Sequence, residues 1–402
     1  MVAYQEFVSL SQSPDSEERG SAAHVSALAY LNHVGPADEH AALYAALIGF
    51  LDDPSVKVRA ALAYGLLHST EAPRPIMLAL LHDSTIISRA VLQYSPVLID
   101  ADLMGLIPGL DVSMLVAVSQ RQHVSSRLAS AIVSRGQDLV TLRLLRRHDV
   151  ALDAVLLSDL AAKQGDNPEL RGALLARRDL TAGARLLLVQ KATDALRGAR
   201  IVKGAVAEDR LGRILRDSCD TALSAIGERE AVRTGAAGYV AELIETDRIN
   251  TRVLLHAVVT GHVMFFADCL AELSQSPRDK VFMLLESGSR SALSALLARC
   301  GLNAGTRGLF VQLVMHARSA DLADDAAARH FVVTALTEEM ITDHDGVIPP
   351  ELEEAFAYLS EQNVMLARKA ARGVMAAFAG ETSKSMALPL AAPQEQLALP
   401  AA

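Results

Sequence analysis

The chain has 402 residues, of which 51% are hydrophobic and only 4% aromatic, with no tryptophan and a formal net charge of −9. That length accommodates two or three domains or one extended repeat array. Ala- and Leu-rich composition favours closely packed helices over sheet, and no segment alternates over a strand's length, so the expected class is all-α. Cys219, Cys269 and Cys300 lie far apart with no CxxC, which gives neither a disulfide framework nor a zinc site and reads as buried small hydrophobes. Met1-Val2-Ala3-Tyr4-Gln5-Glu6 lacks the basic start and apolar stretch of a signal peptide. No apolar run reaches the ~18 residues of a membrane span. A cytoplasmic protein is expected.

Residues 1–110 are punctuated by proline at 14, 36, 54, 73, 75, 96 and 108. Ser13-Pro14-Asp15 with Glu17 and Glu18 begins a helix with acids in its first turn. Pro36-Ala37-Asp38-Glu39 repeats that grammar before Leu43–Leu51. Further helices are predicted over Ser55–His68, Pro75–Leu81, Thr85–Gln93 and Asp100–Ile107, with Asp100 as an N-cap.

Between Leu51 and Ser55, Asp52-Asp53-Pro54 makes a turn. Proline belongs in a first helical turn and pushes the residue before it out of the α region. The run Val56–Ala63 is apolar all round apart from Lys57 and Arg59, as in a helix with neighbours on two sides. Leu81-His82-Asp83-Ser84 followed by Ile86-Ile87-Ser88-Arg89-Ala90-Val91-Leu92 repeats the order. Asp53 to Asp83 and Arg59 to Arg89 are both 30 residues apart, as a tandem repeat predicts. The period is shorter than the ~40–47 residues of HEAT and armadillo units.

Asp53-Pro54, Val56, Val58-Arg59 and Ala61-Leu62 resemble the HEAT pattern, in which an arginine at this place pairs with the turn aspartate of a neighbouring unit. Arg89-Ala90-Val91-Leu92, Ser95-Pro96-Val97-Leu98, Asp102-Leu103 and Leu106-Ile107 resemble an alphaproteobacterial family of unknown function that joins short HEAT-like repeats to a long helical C-terminal part. The similarity runs on through Ser126–Leu180 and more loosely to Leu313. His82-Asp83-Ser84-Thr85 departs from the acidic turn more usual there. The resemblance implies a HEAT-like α-solenoid array followed by a long-helix C-terminal region, in a bacterial cytoplasm. It carries no catalytic motif.

Short helices continue over 111–180. Ser126–Ser134 and Leu170–Ala176 look alike, each ending in an arginine-rich turn, with Gly136 a helix stop and Asn167-Pro168-Glu169 a helix start. Residues 181–227 read as a long helix or helical hairpin that Gly198, Gly204 and Gly212 interrupt. It packs on the rest of the chain or serves self-association. Residues 228–380 return to compact helices: Ala231–Thr246, Asn250–Thr260, Met264–Leu273, Lys280–Leu285, Arg290–Cys300, Thr306–His316, Asp321–Ile341 and Glu351–Phe378. Residues 381–402 have too little core-forming content to fold alone. The domains expected are therefore 1–180, 181–227, 228–380 and a disordered tail over 381–402.

Candidate sites are few. Residues 121–216 hold 18 Lys and Arg against 10 Asp and Glu, a net of +8, while the remainder holds 20 against 37, a net of −17. Arg143, Arg146, Arg147, Arg177, Arg178 and Arg185 are the candidate partner-binding residues, either as a basic face for an acidic partner or phosphate backbone or as internal pairs for neighbouring acids. Asp343-His344-Asp345-Gly346 looks like part of a calcium loop, but the first- and twelfth-position ligands would be Ile341 and Leu352, so it reads as a helix-ending turn. The twelve histidines are scattered without HExxH, and there is no GxGxxG, GxxxxGK[ST] or GxSxG. No cofactor, metal or catalytic residue is assigned. Terminal Leu399-Pro400-Ala401-Ala402 resembles the small apolar tags read by bacterial proteases, set against a plain tail. The Ala-Leu-Pro element, which occurs twice, could instead be a docking motif. The function expected is a non-enzymatic protein-binding scaffold or adaptor. The alternatives are a phosphate- or nucleic-acid-binding protein using the central arginines, and a cryptic enzyme.

Overall fold

The computed structural model describes residues 9–234, 237–320, 322 and 325–382. Among them there are helices, one short 3-10 turn at Ile107–Gly109 and no strand, so the chain is all-α. It divides into two compact units, Met1–Ala195 and Leu196–Ala402.

The first unit contains α1 (Ser16–Leu31), α2 (Ala37–Leu51), α3 (Val56–Leu66), α4 (Arg74–Leu80), α5 (Thr85–Tyr94), α6 (Asp100–Leu106), α7 (Val112–Ser119), α8 (Ser126–Val133), α9 (Asp138–Leu145), α10 (Ala154–Gln164), α11 (Pro168–Ala176) and most of α12 (Ala182–Gly198). Every second helix packs on the next: α1 on α3, α3 on α5, α5 on α7, α7 on α9 and α9 on α11. The intervening helices form a second row, with α2 on α4 and α6 on α8. One apolar core runs from Ala22 to Leu188. Small residues bring α1 against α3. A Cβ at Gly65 would stand 2.6 Å from the Cβ of Ala27, too close for any side chain.

An arginine four residues past the N-cap ties the turns together. Arg19 (N-cap Asp15) and Arg59 (N-cap Ser55) each donate through Nη1 to the carbonyl six residues back, Ser13 and Asp53. The rest of each guanidinium reaches the aspartate of the next turn, Arg19 to Asp53 at 2.7 Å and Arg59 to Asp83 at 2.6 Å. Arg171 (N-cap Asn167) donates to the carbonyls of Gly165 and Asp166 in the same way. The fork fits because guanidinium presents donors in two directions at once.

Arg89 does not repeat Arg59. Asp53 is followed by Pro54 before the N-cap Ser55, whereas Asp83 directly precedes the N-cap Ser84. The equal 30-residue offset therefore places Arg89 five residues past its cap instead of four, which turns it about 100° around the helix. Arg89 is exposed. Ser88 takes the inner place and donates to the carbonyls of Asp83 and Ser84, both at 3.1 Å.

Asp53 and Asp83 are held below the usual carboxylate range, chiefly by the hydrogen bonds from Arg19 and Arg59. These carboxylates contribute stability that is complete above their unfolded pKa and is lost as pH falls through the lower folded values. A double-mutant cycle of Arg59→Ala and Asp83→Ala is expected to return a coupling of roughly 1–3 kcal/mol, measured by denaturant unfolding at pH 7. Additive single effects would show that the pair is not a strut.

The second unit contains α13 (Arg200–Ala205), α14 (Glu208–Thr234), α15 (Ala237–Glu245), α16 (Thr251–Val259), α17 (Val263–Ser274), α18 (Arg278–Ser287), α19 (Arg290–Arg299), α20 (Ala304–Ala317), α21 (Ala326–Asp343) and α22 (Glu353–Thr382). At its centre lies α16, packed on α14, α17, α20 and α22, with every side chain from Val253 to Val259 buried.

The boundary between units falls inside α12 and not at 180/181, because Ala184 and Leu188 belong to the first core. No division appears at 227/228, which α14 crosses unbroken. The segment read as one long helix or hairpin is three helices. Gly198 ends α12 and Gly204 lies at the end of α13, but Gly212 is inside α14. Asp100 is the first helical residue and not the cap. The cap is Ile99, whose N–H donates to Asp102 Oδ2 at 3.0 Å.

Candidate functional site

Helices leave their last carbonyls without partners, and in the first unit arginines supply the donors, Arg121, Arg147 and Arg177 from just past a helix end and Arg185 from the first turn of α12. Arg121 donates to the carbonyls of Leu92, Ser95 and Leu98. Arg147 donates to those of Ser119, Arg121 and Gln122. Arg177 donates to those of Leu145, Arg147 and Val150, and Arg185 to those of Leu175 and Arg177. Each arginine's own carbonyl is thus bound by the next, in the order Arg121, Arg147, Arg177, Arg185. A cation at a helix C-terminus is also favoured by the helix dipole. Asp149 pairs with Arg147 and Asp179 with Arg177, and both carboxyls are held low by those arginines. Arg135 extends the device to the carbonyls of Pro108 and Leu110, and in the second unit Arg299 and Arg318 bind those of Ser274, Leu284 and Leu285.

The six arginines singled out in the sequence therefore divide. Arg147, Arg177 and Arg185 are rungs of this ladder, and Arg177 is only 2% exposed. Arg143, Arg146 and Arg178 are exposed. Arg178 lines a cavity of about 690 Å³ with His148, Asp149, Arg177 and Asp179.

A second polar cluster lies in the core of the second unit. The only polar side chain in the buried stretch of α16 is His256, 2% exposed. Tyr358 of α22, 0% exposed, meets its Nδ1 at 2.9 Å, and Thr221 of α14 meets its Nε2 at 3.0 Å. Thr221 gives its hydroxyl hydrogen to the Asp217 carbonyl at 2.7 Å, so it accepts from Nε2–H, and Tyr358 donates to Nδ1. The imidazole is neutral with its proton on Nε2. Burial, followed by the charges of His262 and Arg252, lowers its pKa to about 4. Burial also raises the Tyr358 hydroxyl far above its ordinary value.

Beside this chain, the Arg252 guanidinium stands 4.9 Å from the Tyr358 ring centroid and pairs with Asp217 and Asp220 of α14. Burial raises both carboxyls, against the pull of Arg252. Glu361 is 3.9 Å from Arg252 and 3.8 Å from Arg213. It also opens onto a cavity of about 500 Å³ lined by Arg197, Glu208, Asp209, Arg213 and Arg216. The network joins three helices and holds neutral or paired groups in the interior. The sequence signal for His256 is its isolation in the apolar run Val253–Val259. Nothing local points to Tyr358, 102 residues away.

The remaining motifs are structural or lie outside the described residues. Asp343 ends α21, and Asp345 and Gly346 take the left-handed conformation (φ 52° and 81°) of a helix stop. Gly136 does the same at φ 67°. Asn167 caps α11, accepting from the N–H of Glu169 and Leu170. Cys269 is buried, and none of the three cysteines is in a disulfide among the described residues. No group of three or more His, Cys, Asp or Glu among the described residues is placed to hold a metal ion. No helix among them is long and apolar enough to cross a membrane. Leu399, Pro400, Ala401 and Ala402 lie outside the described residues.

No curated protein and no solved structure matches the chain. A family model does match, over residues 87–345, more than half of the length. The matched stretch takes in the arginine ladder from Arg121 to Arg185 together with His256, Arg252 and their α14 partners, and omits Tyr358. The chain belongs to the family described as "Uncharacterised protein conserved in bacteria (DUF2336)".

Proposed function

We propose that this chain is a non-enzymatic, cytoplasmic protein-binding scaffold or regulatory adaptor, built on short HEAT-like repeats in its first unit and belonging to the alphaproteobacterial branch of bacterial proteins. The observation that carries the reading is the ladder Arg121–Arg147–Arg177–Arg185. Arg147 and Arg177 link the turns after α7, α9 and α11 along one row of a two-row helical stack, and Arg185 binds the last of those turns from α12. Such a stack is a solenoid in kind: each unit leans on its neighbours, and the outer faces are left as extended surfaces for a partner. Two strongly perturbed titratable groups, His256 and Tyr358, support the non-enzymatic part. They are enclosed in a core and satisfied by each other rather than facing a cavity.

A second reading, phosphate or nucleic-acid binding, rests on Arg143, Arg146 and Arg178. They stay on the surface of the segment that carries a net of +8. Affinity capture from a bacterial lysate, with and without nuclease, separates the two. The scaffold reading expects the same protein partners after nuclease treatment. Recovery of nucleic acid alone, lost in the Arg143→Glu, Arg146→Glu, Arg178→Glu variant and falling steeply with salt, would replace it with the second.

A further inference from the structure

The last helix has two apolar sides, and the second unit uses one of them. Counted at about 100° per residue, the buried side chains of α22 (Ala355, Tyr358, Leu359, Gln362 and Leu366) share an arc about 100° wide. Val364, Ala367, Ala371, Val374 and Met375 fall in a second arc of about the same width, on a different side. Val364 is 53% exposed, Val374 56% and Met375 71%. The helix runs on to Thr382, and past Leu366 none of its described side chains is buried. Arg368, Lys369 and Arg372 are all exposed and lie in a third arc, shared with Met365, that borders the second. From Gln362 to Gly380 the sequence holds these three bases and no Asp or Glu, in a chain whose acids outnumber its bases 47 to 38. The acid just before that stretch, Glu361, is set against Arg213 and Arg252 at 3.8 and 3.9 Å.

We infer that α22 past Leu366 is an anchor that lies on the surface of an anionic phospholipid bilayer. A helix in a bilayer interface needs an apolar arc to sink among the acyl chains and a basic arc beside it to meet the headgroup phosphates. This stretch of α22 has both. Charge selects the occupant, because three bases with no acid among them favour an anionic surface. A second copy of the chain is disfavoured, since its two-fold mate would set basic arc beside basic arc. The helix lies on the bilayer and does not cross it: no helix among the described residues is long and apolar enough to do so. The inference goes beyond the scaffold reading and does not depend on it, since it assigns a surface on which the chain is held.

The test is co-sedimentation of the full chain with vesicles of phosphatidylcholine alone or mixed equally with phosphatidylglycerol. The mixed vesicles are expected to bind about a hundredfold more tightly, since each of the three bases contributes about fivefold near an anionic surface, and the preference should shrink as salt rises. Arg368→Gln with Lys369→Gln and Arg372→Gln should bring binding down to the level of the neutral vesicles. Val374→Asp with Met375→Asp should abolish it on both. All five positions are exposed, and unchanged thermal unfolding confirms that the variants fold. No binding to the mixed vesicles, equal binding to the neutral ones, or full binding by either variant would each overturn the inference. A dimer in analytical ultracentrifugation that Val374→Asp with Met375→Asp dissolves, with no vesicle binding, would also overturn it and give the apolar arc to a second copy. Lysate partners captured equally by wild type and variants would in those cases leave the scaffold reading standing.

Discussion

Arg177→Ala is expected to lower the stability of the first unit by about 3–5 kcal/mol, which for a unit of this size shifts its thermal midpoint by about 6–20 °C. The side chain is almost wholly buried and donates to three carbonyls at the end of α9 and in the connection after it, those of Leu145, Arg147 and Val150, as well as to Asp179. Removing it leaves those carbonyls and the carboxylate facing a cavity, which costs far more than the net worth of the bonds. Arg177→Lys keeps the charge but replaces a planar five-donor fork with a single ammonium, and should recover only part of the loss. Arg178→Ala, one residue on and exposed, should stay within ~0.5 kcal/mol of wild type. Calorimetry of the three variants checks this, with hydrogen exchange locating the opened amides near Leu145–Leu152. If Arg177→Ala unfolds with Arg178→Ala, water satisfies those carbonyls and the ladder is not what joins the turns.

The second large effect is a pH dependence in the other unit. His256 titrates at about 4 in the folded chain against an ordinary 6.5. Between those values the unfolded state binds the proton and the folded state does not, so stability rises with pH across the window. The contribution is complete above pH 6.5 and lost as pH falls towards 4, in total about 3 kcal/mol. Burial lowers His262 as well, which works in the same direction. Asp217 and Asp220 have raised folded values and oppose it at the acidic end. Denaturant titrations from pH 4 to 8 should show this slope in wild type and a flatter profile in His256→Gln, whose amide can still bond Thr221 and Tyr358 without titrating. Parallel profiles for the two proteins would show that His256 is not the group responsible.

Much of the architecture is local and was therefore legible. Helices are set by periodicity, prolines and caps, and most predicted segments match observed ones to within a few residues: Leu43–Leu51 lies inside α2, Thr85–Gln93 inside α5, Asn250–Thr260 around α16. The Asp53-Pro54 turn, the Gly136 stop and the Asn167 cap depend on φ preferences and side-chain reach within a few residues. The 30-residue offset holds as a spacing but not as a structural equivalence. A helix turns about 100° per residue, so the single residue missing between Asp83 and its cap carried Arg89 from the inside to the surface and gave its place to Ser88.

The sequence by itself determined the class, the positions of most helices and the candidacy of the central arginines. Tertiary structure alone decided which arginines were available. Arg147 and Arg178 look alike in sequence, yet one binds carbonyls 25 to 28 residues back and the other faces solvent. It also assembled His256 with Thr221 and Tyr358, and His24 with Tyr64, from separate helices. Hydrogen-bond geometry and ring packing depend on distances between helices, and no local propensity encodes those.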